Sequence, residues 1–151
     1  MNWIDPTPLR ILVADDNRDQ VLMLTMLLRE EGHEVRGVHN GTDVMRVARL
    51  HRFDAIILDI EMPEISGYAV AQELRTHYYA TPMPLLIAIS GKWNRASEKL
   101  LAQAVGFEHH LEKPCDPRVL LKLLEPLARR RRDAREIDAG RTGIEPTTPG
   151  L

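Results

Sequence analysis

Side chains able to do chemistry follow short apolar runs at four places along the chain. They are two adjacent aspartates, a third aspartate, a serine and a lysine: Asp15, Asp16, Asp59, Ser90 and Lys113. Each one alone has an ordinary interpretation, such as a helix cap, a loop acid, a turn residue or a surface charge. Together, three carboxylates, a hydroxyl and an ammonium favour one shared site.

The chemistry that fits this set is phosphoryl transfer assisted by a metal ion. Crowded carboxylates need a cation, and an all-oxygen cluster suits Mg²⁺, which takes one or two carboxylates and keeps several waters. We therefore assign Mg²⁺ to Asp16 and Asp59, with Asp15 acting through a bound water. Asp59 is the predicted nucleophile, Lys113 supplies positive charge and Ser90 donates a hydrogen bond to the phosphoryl group.

Five apolar runs must form the strands that position these groups: residues 9–14, 33–38, 55–58, 85–89 and 108–111. Most are too short for helices and lack alternation, which indicates strands buried on both faces. Stretches with helical spacing follow each run. Strict alternation of strand and helix predicts a doubly wound α/β fold of the (βα)5 type, with a parallel sheet that binds ligands at the carboxyl ends of its strands.

Capping residues agree with these boundaries. Ser66 is a predicted N-cap, and Asp116 followed by Pro117 predicts the start of the last helix. Gly32 and Gly106 fall where a left-handed residue commonly ends a helix. In the fourth helical stretch, the spacing predicts that residues 100, 101 and 104 share one face.

The composition predicts one globular domain. The chain has 151 residues, 44% of them hydrophobic, with 20 Lys and Arg against 22 Asp and Glu and a formal charge of −2. No apolar stretch approaches the roughly 20 residues of a membrane span, and no secretion signal is recognisable, so we expect a cytoplasmic protein without membrane contact. The single cysteine, Cys115, excludes an intramolecular disulfide framework.

The charges divide the chain unevenly. Residues 129–151 carry 6 arginines and 4 acids, whereas the remainder carries 14 basic and 18 acidic side chains. We expect an N-terminal extension over residues 1–7, a globular domain over 8–128 and an Arg-rich, flexible tail over 129–151. Pro126 should kink or end the last helix. Because the body is acidic, nucleic acid is not expected as a partner.

Four segments resemble the signatures of response-regulator receiver domains from two-component signalling: ILVADDN, IILDIEMPEISG, LLIAISG and HHLEKP. The resemblance covers about residues 8–128 and implies a flavodoxin-like sheet of strand order 2-1-3-4-5. It also implies that a histidine kinase or histidine phosphotransfer protein phosphorylates Asp59, with Mg²⁺ as the cofactor.

The resemblance assigns further roles to single positions. The backbone carbonyl of Glu61 would be the third protein ligand of the metal. Ser90 falls on the switch hydroxyl, and Lys113 on the lysine that senses the phosphoryl group and usually precedes a cis proline, here Pro114. His110 occupies the switch position where the family has an aromatic residue, and imidazole buries less area and can ionise near neutrality.

The sequence contains no helix-turn-helix, cyclase or methylesterase-sized segment after residue 128, so we expect a receiver of the stand-alone type. We expect self-phosphorylation and autodephosphorylation but no separate output enzyme. Phosphorylation would add charge beside Lys113 and Ser90 and change contacts around the fourth helix, fifth strand and fifth helix. The target would be another protein, or a second copy of the chain in a homodimer.

Three other functions fit parts of the pattern. A constitutive receiver-like scaffold would bind partners without phosphorylation, although no catalytic side chain is missing. A haloacid-dehalogenase-like phosphatase also uses aspartate and Mg²⁺, but it normally has Asp-x-Asp after its first strand, where this chain has Asn17. A flavodoxin should cradle a flavin phosphate in its first loop, where Asp15 and Asp16 would repel it.

Overall fold

The computed structural model describes residues 8–91 and 96–144, over which five strands alternate with five helices. They are β1 (Arg10–Ala14), α1 (Arg18–Glu30), β2 (Glu34–Val38), α2 (Gly41–Leu50), β3 (Ala55–Asp59), α3 (Gly67–His77), β4 (Leu85–Ser90), α4 (Ala96–Ala104), β5 (His109–Glu112) and α5 (Pro117–Ile144). Each predicted strand is confirmed, with boundaries that differ by one residue at most. The predicted N-terminal extension, residues 1–7, lies outside the described residues.

All five strands form one parallel sheet in the order β2-β1-β3-β4-β5. This confirms the predicted flavodoxin-like topology. Parallel pairing brings the carboxyl ends of all strands to one edge, which we call the carboxyl edge, and their starts to the opposite amino edge. The polar residues that follow the strands therefore lie together at the carboxyl edge.

Helices cover both faces of the sheet and divide the core in two. One cluster joins β-strand side chains such as Leu58 and Leu86 to α2, α3 and α4. The other joins Ile57 and Ile87 to α1 and α5. Every residue of β3 and β4 is buried, because a central parallel strand packs against helices on both sides.

The helix ends follow the predicted capping chemistry. The Ser66 side chain accepts a hydrogen bond from the backbone amide of Ala69, which confirms it as the N-cap of α3. Gly32 and Gly106 have φ angles of 95° and 110°, in the left-handed region that favours glycine. The cap of α1 is Asn17, whose side chain accepts from two backbone amides of the first turn.

The structure contradicts an end of α5 at Pro126, which is one of the two outcomes predicted for this proline. The helix continues from Pro117 to Ile144 with Pro126 inside it, so the first part of the predicted tail is helical. Leu124 before the proline packs in the core and Ala128 after it packs against the same cluster, which stabilises the helix on both sides. Flexibility of the tail stays a prediction, and residues 145–151 lie outside the described part of the chain.

The buried face of α4 also differs from the predicted set. Leu100 and Leu101 are exposed, whereas Ala102 and Val105 lie in the core. Alternative helical faces in a short leucine- and alanine-rich segment are hard to separate by spacing alone. Among the described residues, no helix combines the length and the apolar character needed to cross a membrane.

Candidate functional site

Three carboxylates meet at the carboxyl edge where β1 and β3 end. Ala14 and Leu58 pair in register, so Asp15 and Asp59 follow neighbouring positions of adjacent strands. Each of Asp15, Asp16 and Asp59 offers an oxygen within 4.8 Å of those of the other two. Asp15 and Asp59 are each only 2% exposed, while Asp16 faces solvent. The structure therefore assembles the acidic cluster that the sequence predicts.

Lys113 is the cation next to this cluster. Its Nζ lies 3.1 Å from Oδ2 of Asp15 and 3.1 Å from Oδ2 of Asp59. The Lys113 backbone amide donates to the Ser90 carbonyl at 3.0 Å, which ties the loop after β5 to the end of β4. The peptide bond between Lys113 and Pro114 is cis.

Backbone amides hold the two buried carboxylates in place. Oδ1 of Asp59 accepts from the Glu61 amide at 3.0 Å, and Oδ1 of Asp15 accepts from the Asn17 amide at 2.9 Å. Because Asn17 caps α1, neither aspartate is needed for that task. The interpretation of Asp15 and Asp16 as helix caps is therefore excluded. The preference of asparagine for the N-cap position could have identified Asn17 as the cap from the sequence.

The electrostatics of the cluster favour an added cation. Burial and the Asp15 charge raise the pKa of Asp59 from 3.8 to about 6, although the Glu61 amide and Lys113 oppose this shift. Burial also lowers the pKa of Lys113, but its hydrogen bonds to Asp15 and Asp59 outweigh that effect and raise it overall. Three carboxylates share one ammonium, so a divalent ion would balance the fully ionised cluster.

Ser90 lies at the end of β4 and is 4% exposed. Its hydroxyl donates to Oε1 of Glu61 at 3.2 Å, and the Gly91 amide donates to the same oxygen at 3.3 Å. The role predicted for Glu61 involves its backbone carbonyl, and this side-chain contact was not predicted. A glutamate two residues after Asp59 was the only signal, and it does not define where the side chain points.

His110 lies on β5, the strand that precedes Lys113. It is opposite Ala88 of β4, on the sheet face that α2, α3 and α4 cover, and is partly exposed. Its role as a switch residue stays a prediction.

These features define a class of α/β protein: a parallel 2-1-3-4-5 sheet with an acidic, lysine-bearing cation pocket at its carboxyl edge. The family model described as the response regulator receiver domain matches residues 11–125. The chain belongs to the response regulator receiver family.

Similar proteins cover most of the chain. Protein PilH of Pseudomonas aeruginosa is 30% identical over 115 residues, which are 76% of this chain and 93% of PilH. The structure of chemotaxis response regulator CheY4 of Vibrio cholerae is 29% identical, has a TM-score of 0.70 and covers 80% of this chain and 99% of CheY4. The sensor kinase/phosphatase CqsS of Vibrio cholerae is 30% identical over 112 residues, 74% of this chain and 16% of CqsS.

Proposed function

We propose that this receiver accepts a phosphoryl group on Asp59 from a phosphohistidine and changes its protein contacts through Ser90, His110 and Lys113. The proposal rests on the burial, the hydrogen bonds and the charge environment of the Asp59 carboxylate. This carboxylate is buried, is held by Lys113 and by the Glu61 amide, and belongs to a cluster short of two positive charges. A carboxylate that is fixed in position and then neutralised by a cation is a suitable nucleophile for phosphoryl transfer.

The donor set of the cluster fits Mg²⁺. All three candidate side-chain ligands are carboxylates, and Asp16 remains exposed to solvent, which suits an ion that keeps several waters. We assign Asp16, Asp59 and the backbone carbonyl of Glu61 as ligands, with Asp15 acting through water. When bound, Mg²⁺ supplies positive charge that stabilises the oxygens of the incoming phosphoryl group.

Asp59 forms the new covalent bond. One of its oxygens attacks phosphorus while the bond between phosphorus and the donor imidazole nitrogen breaks, and that nitrogen keeps the electron pair. Lys113, 3.1 Å from the carboxylate, stabilises charge on the transferred group. The burial of Asp59 limits the access of competing water molecules.

The response begins when Ser90 changes partner. In the structure its hydroxyl donates to Glu61, so it must leave Glu61 before it can donate to a phosphoryl oxygen. The Gly91 amide shares the same glutamate oxygen, so Gly91 should move with Ser90. Glu61→Gln keeps an acceptor but removes its charge, which should weaken this contact and favour the phosphorylated arrangement.

A phosphodonor protein can dock beside the site on α1. The helix begins two residues after Asp16, and its large apolar side chains Leu22, Met23 and Met26 are exposed. An exposed apolar patch next to a reactive group is a suitable contact for a protein partner. The similarity to part of the sensor kinase/phosphatase CqsS supports a histidine kinase or phosphotransfer protein as that partner.

The proposal is tested with the full chain, Mg²⁺ and acetyl phosphate as a small phosphoryl donor. Intact mass should increase by one phosphoryl group in the wild type and in Lys113→Ala, but not in Asp59→Asn. Amide NMR should report a response around α4 and β5 in the wild type, and most of that response should be lost in Lys113→Ala. Equal labelling of wild type and Asp59→Asn would contradict the proposal.

The same experiment separates the alternatives. Rapid turnover of unrelated phosphate esters would favour a phosphatase, for which the buried Asp59 would serve as nucleophile. A folded chain that binds Mg²⁺ but is never labelled, by acetyl phosphate or by phosphohistidine proteins, would favour a constitutive scaffold. Stable labelling with slow loss of the phosphoryl group supports the proposed receiver function.

A further inference from the structure

A second charged cavity lies at the amino edge of the sheet, opposite the carboxylate cluster. Its volume is about 320 Å³, and its lining includes Arg10, Arg29, Arg36, Arg52, Glu34 and His51. These residues come from the starts of β1 and β2, the end of α1 and the segment between α2 and β3. We call this cavity the arginine pocket.

The positive charge of the arginine pocket is poorly neutralised. Arg10 has an exposed ion pair with Glu34 at 3.5 Å, and Arg29 donates to the Val35 carbonyl at 2.7 Å. In the part of the chain that the structure describes, the Arg36 and Arg52 side chains have neither a hydrogen bond nor an ion pair. The lining thus contributes four arginines and one carboxylate, and a bound anion would reduce the repulsion among the positive charges.

The shape and chemistry of the pocket indicate the class of anion. A guanidinium group presents a planar fork of donors that matches phosphate oxygens. The volume of about 320 Å³ suits a small ligand and not a folded partner. We propose that the arginine pocket binds a small molecule bearing one or two phosphoryl groups, held chiefly by Arg36 and Arg52.

An adjoining cavity of about 470 Å³ shares Arg10, Glu34 and Arg52 with the arginine pocket and extends to Arg131 and Asp54. Asp54 is paired with Arg131 there, so its charge does not oppose an anion. This space can accept the part of the ligand that carries no phosphate.

The arginine pocket is separate from the proposed phosphoacceptor site. Ala55 begins β3 near the pocket and Asp59 ends it, so the strand separates them by roughly 13 Å. No residue lines the pocket and also contacts the carboxylate cluster among those described. Anion binding in the arginine pocket should therefore not depend on phosphorylation at Asp59.

The test uses the full chain in buffer containing EDTA, titrated with inorganic pyrophosphate. Isothermal calorimetry should give saturable binding of one pyrophosphate per chain, and NMR should show perturbed guanidinium signals of Arg36 and Arg52. Arg52→Gln and Arg36→Gln should each weaken the affinity by about tenfold or more, because each removes a charged, bidentate contact. Arg46→Gln, an exposed arginine of α2 outside the pocket, is the matched control and should bind as the wild type does.

Two results would overturn the inference. One is equal pyrophosphate affinity in the wild type, Arg36→Gln and Arg52→Gln. The other is binding of double-stranded DNA or heparin but not of pyrophosphate, which would indicate a surface for extended polyanions. Acetyl phosphate should label Asp59 in Arg52→Gln at the wild-type rate, as expected if the pocket and the acidic site are distinct.

Discussion

The two edges of the sheet carry opposite charges, and the charged side chains differ in burial and in their hydrogen-bond partners. At the carboxyl edge, Asp15 and Asp59 are buried and fixed by Lys113 and by backbone amides. At the amino edge, Arg36 and Arg52 are exposed, and their side chains have no hydrogen bond or ion pair with another described residue. A buried like-charged cluster reduces the stability of the fold unless it binds a counterion, whereas exposed arginines remain hydrated at little cost.

The difference follows from how each edge is built. The last residues of β3 and β4 are themselves Asp59 and Ser90, so rigid strands position the acidic site. The arginine pocket combines strand starts with the segment joining α2 to β3, and its long side chains can move. Substitutions at the carboxyl edge should therefore change stability more than substitutions at the amino edge.

The largest effect is expected from Gly67→Ala, behind the carboxyl edge. A Cβ at Gly67 would lie 2.8 Å from the Asp59 carbonyl oxygen and 2.8 Å from Cα of Ile60, so backbone must move. We expect the free energy of unfolding to fall by about 3 kcal/mol, measured by urea denaturation. Gly91→Ala, whose Cβ would meet only a Glu61 oxygen at 3.8 Å, is the control. Equal stability of the two variants would contradict this packing.

The second effect is a pH-dependent gain of stability in Asp59→Asn without Mg²⁺. Because the pKa of Asp59 rises from 3.8 to about 6 on folding, the folded chain retains a proton that the unfolded chain releases. Wild-type unfolding free energy should therefore fall as pH rises through this interval and then level off. Asp59→Asn lacks this contribution and should become more stable than the wild type by roughly 2 kcal/mol above pH 6.

Urea denaturation between pH 4 and pH 8 measures this difference. Asp133→Asn, at an exposed carboxylate of α5, should leave the wild-type profile unchanged. Saturating Mg²⁺ should remove the advantage of Asp59→Asn, because the ion favours the charged carboxylate. If the unfolding free energies of the wild type and Asp59→Asn change with pH in the same way in EDTA, folding does not raise the pKa of Asp59.

The smallest effect is expected at the amino edge, from Arg131→Gln. Arg131 connects α5 to Asp54, whose other oxygen accepts from the Arg10 amide at 2.8 Å. Losing this partly exposed pair should lower the free energy of unfolding by up to about 1 kcal/mol in urea denaturation. The neighbouring exposed arginine, changed in Arg130→Gln, should have no measurable effect. If both variants are as stable as the wild type, the pair does not anchor the helix.

The alternation of strands and helices and the acidic cluster could be predicted because they depend on local patterns, whereas the strand order followed from the resemblance to receiver domains. Short apolar runs bounded by polar residues define the strands, and parallel pairing then brings Asp15, Asp59 and Ser90 to one edge. Such reasoning needs no side-chain packing. The contact of Ser90 with Glu61 requires the conformation of an exposed side chain, which spacing along the chain does not determine.

The predicted buried face of α4 was wrong because spacing alone does not separate alternative faces of a short helix, and the end of α5 at Pro126 was wrong because of tertiary contacts. A proline usually ends a helix, but α5 continues past Pro126, with core contacts before and after it and the Arg131 pair beyond. Long-range contacts of this kind override local propensity. The arginine pocket was also missed, since its arginines are spread from residue 10 to residue 52 and only the fold brings them together.

The central claim is that Asp59 is the phosphoacceptor, and mapping the modified residue tests it most directly. The full chain is labelled with acetyl phosphate and Mg²⁺, the acyl phosphate is trapped by borohydride reduction, and the digested peptides are sequenced by mass spectrometry. We predict that the reduced residue is Asp59, with Asp15 and Asp16 unmodified. Modification at Asp15 or Asp16, or a wild-type chain that is never labelled, would contradict the claim.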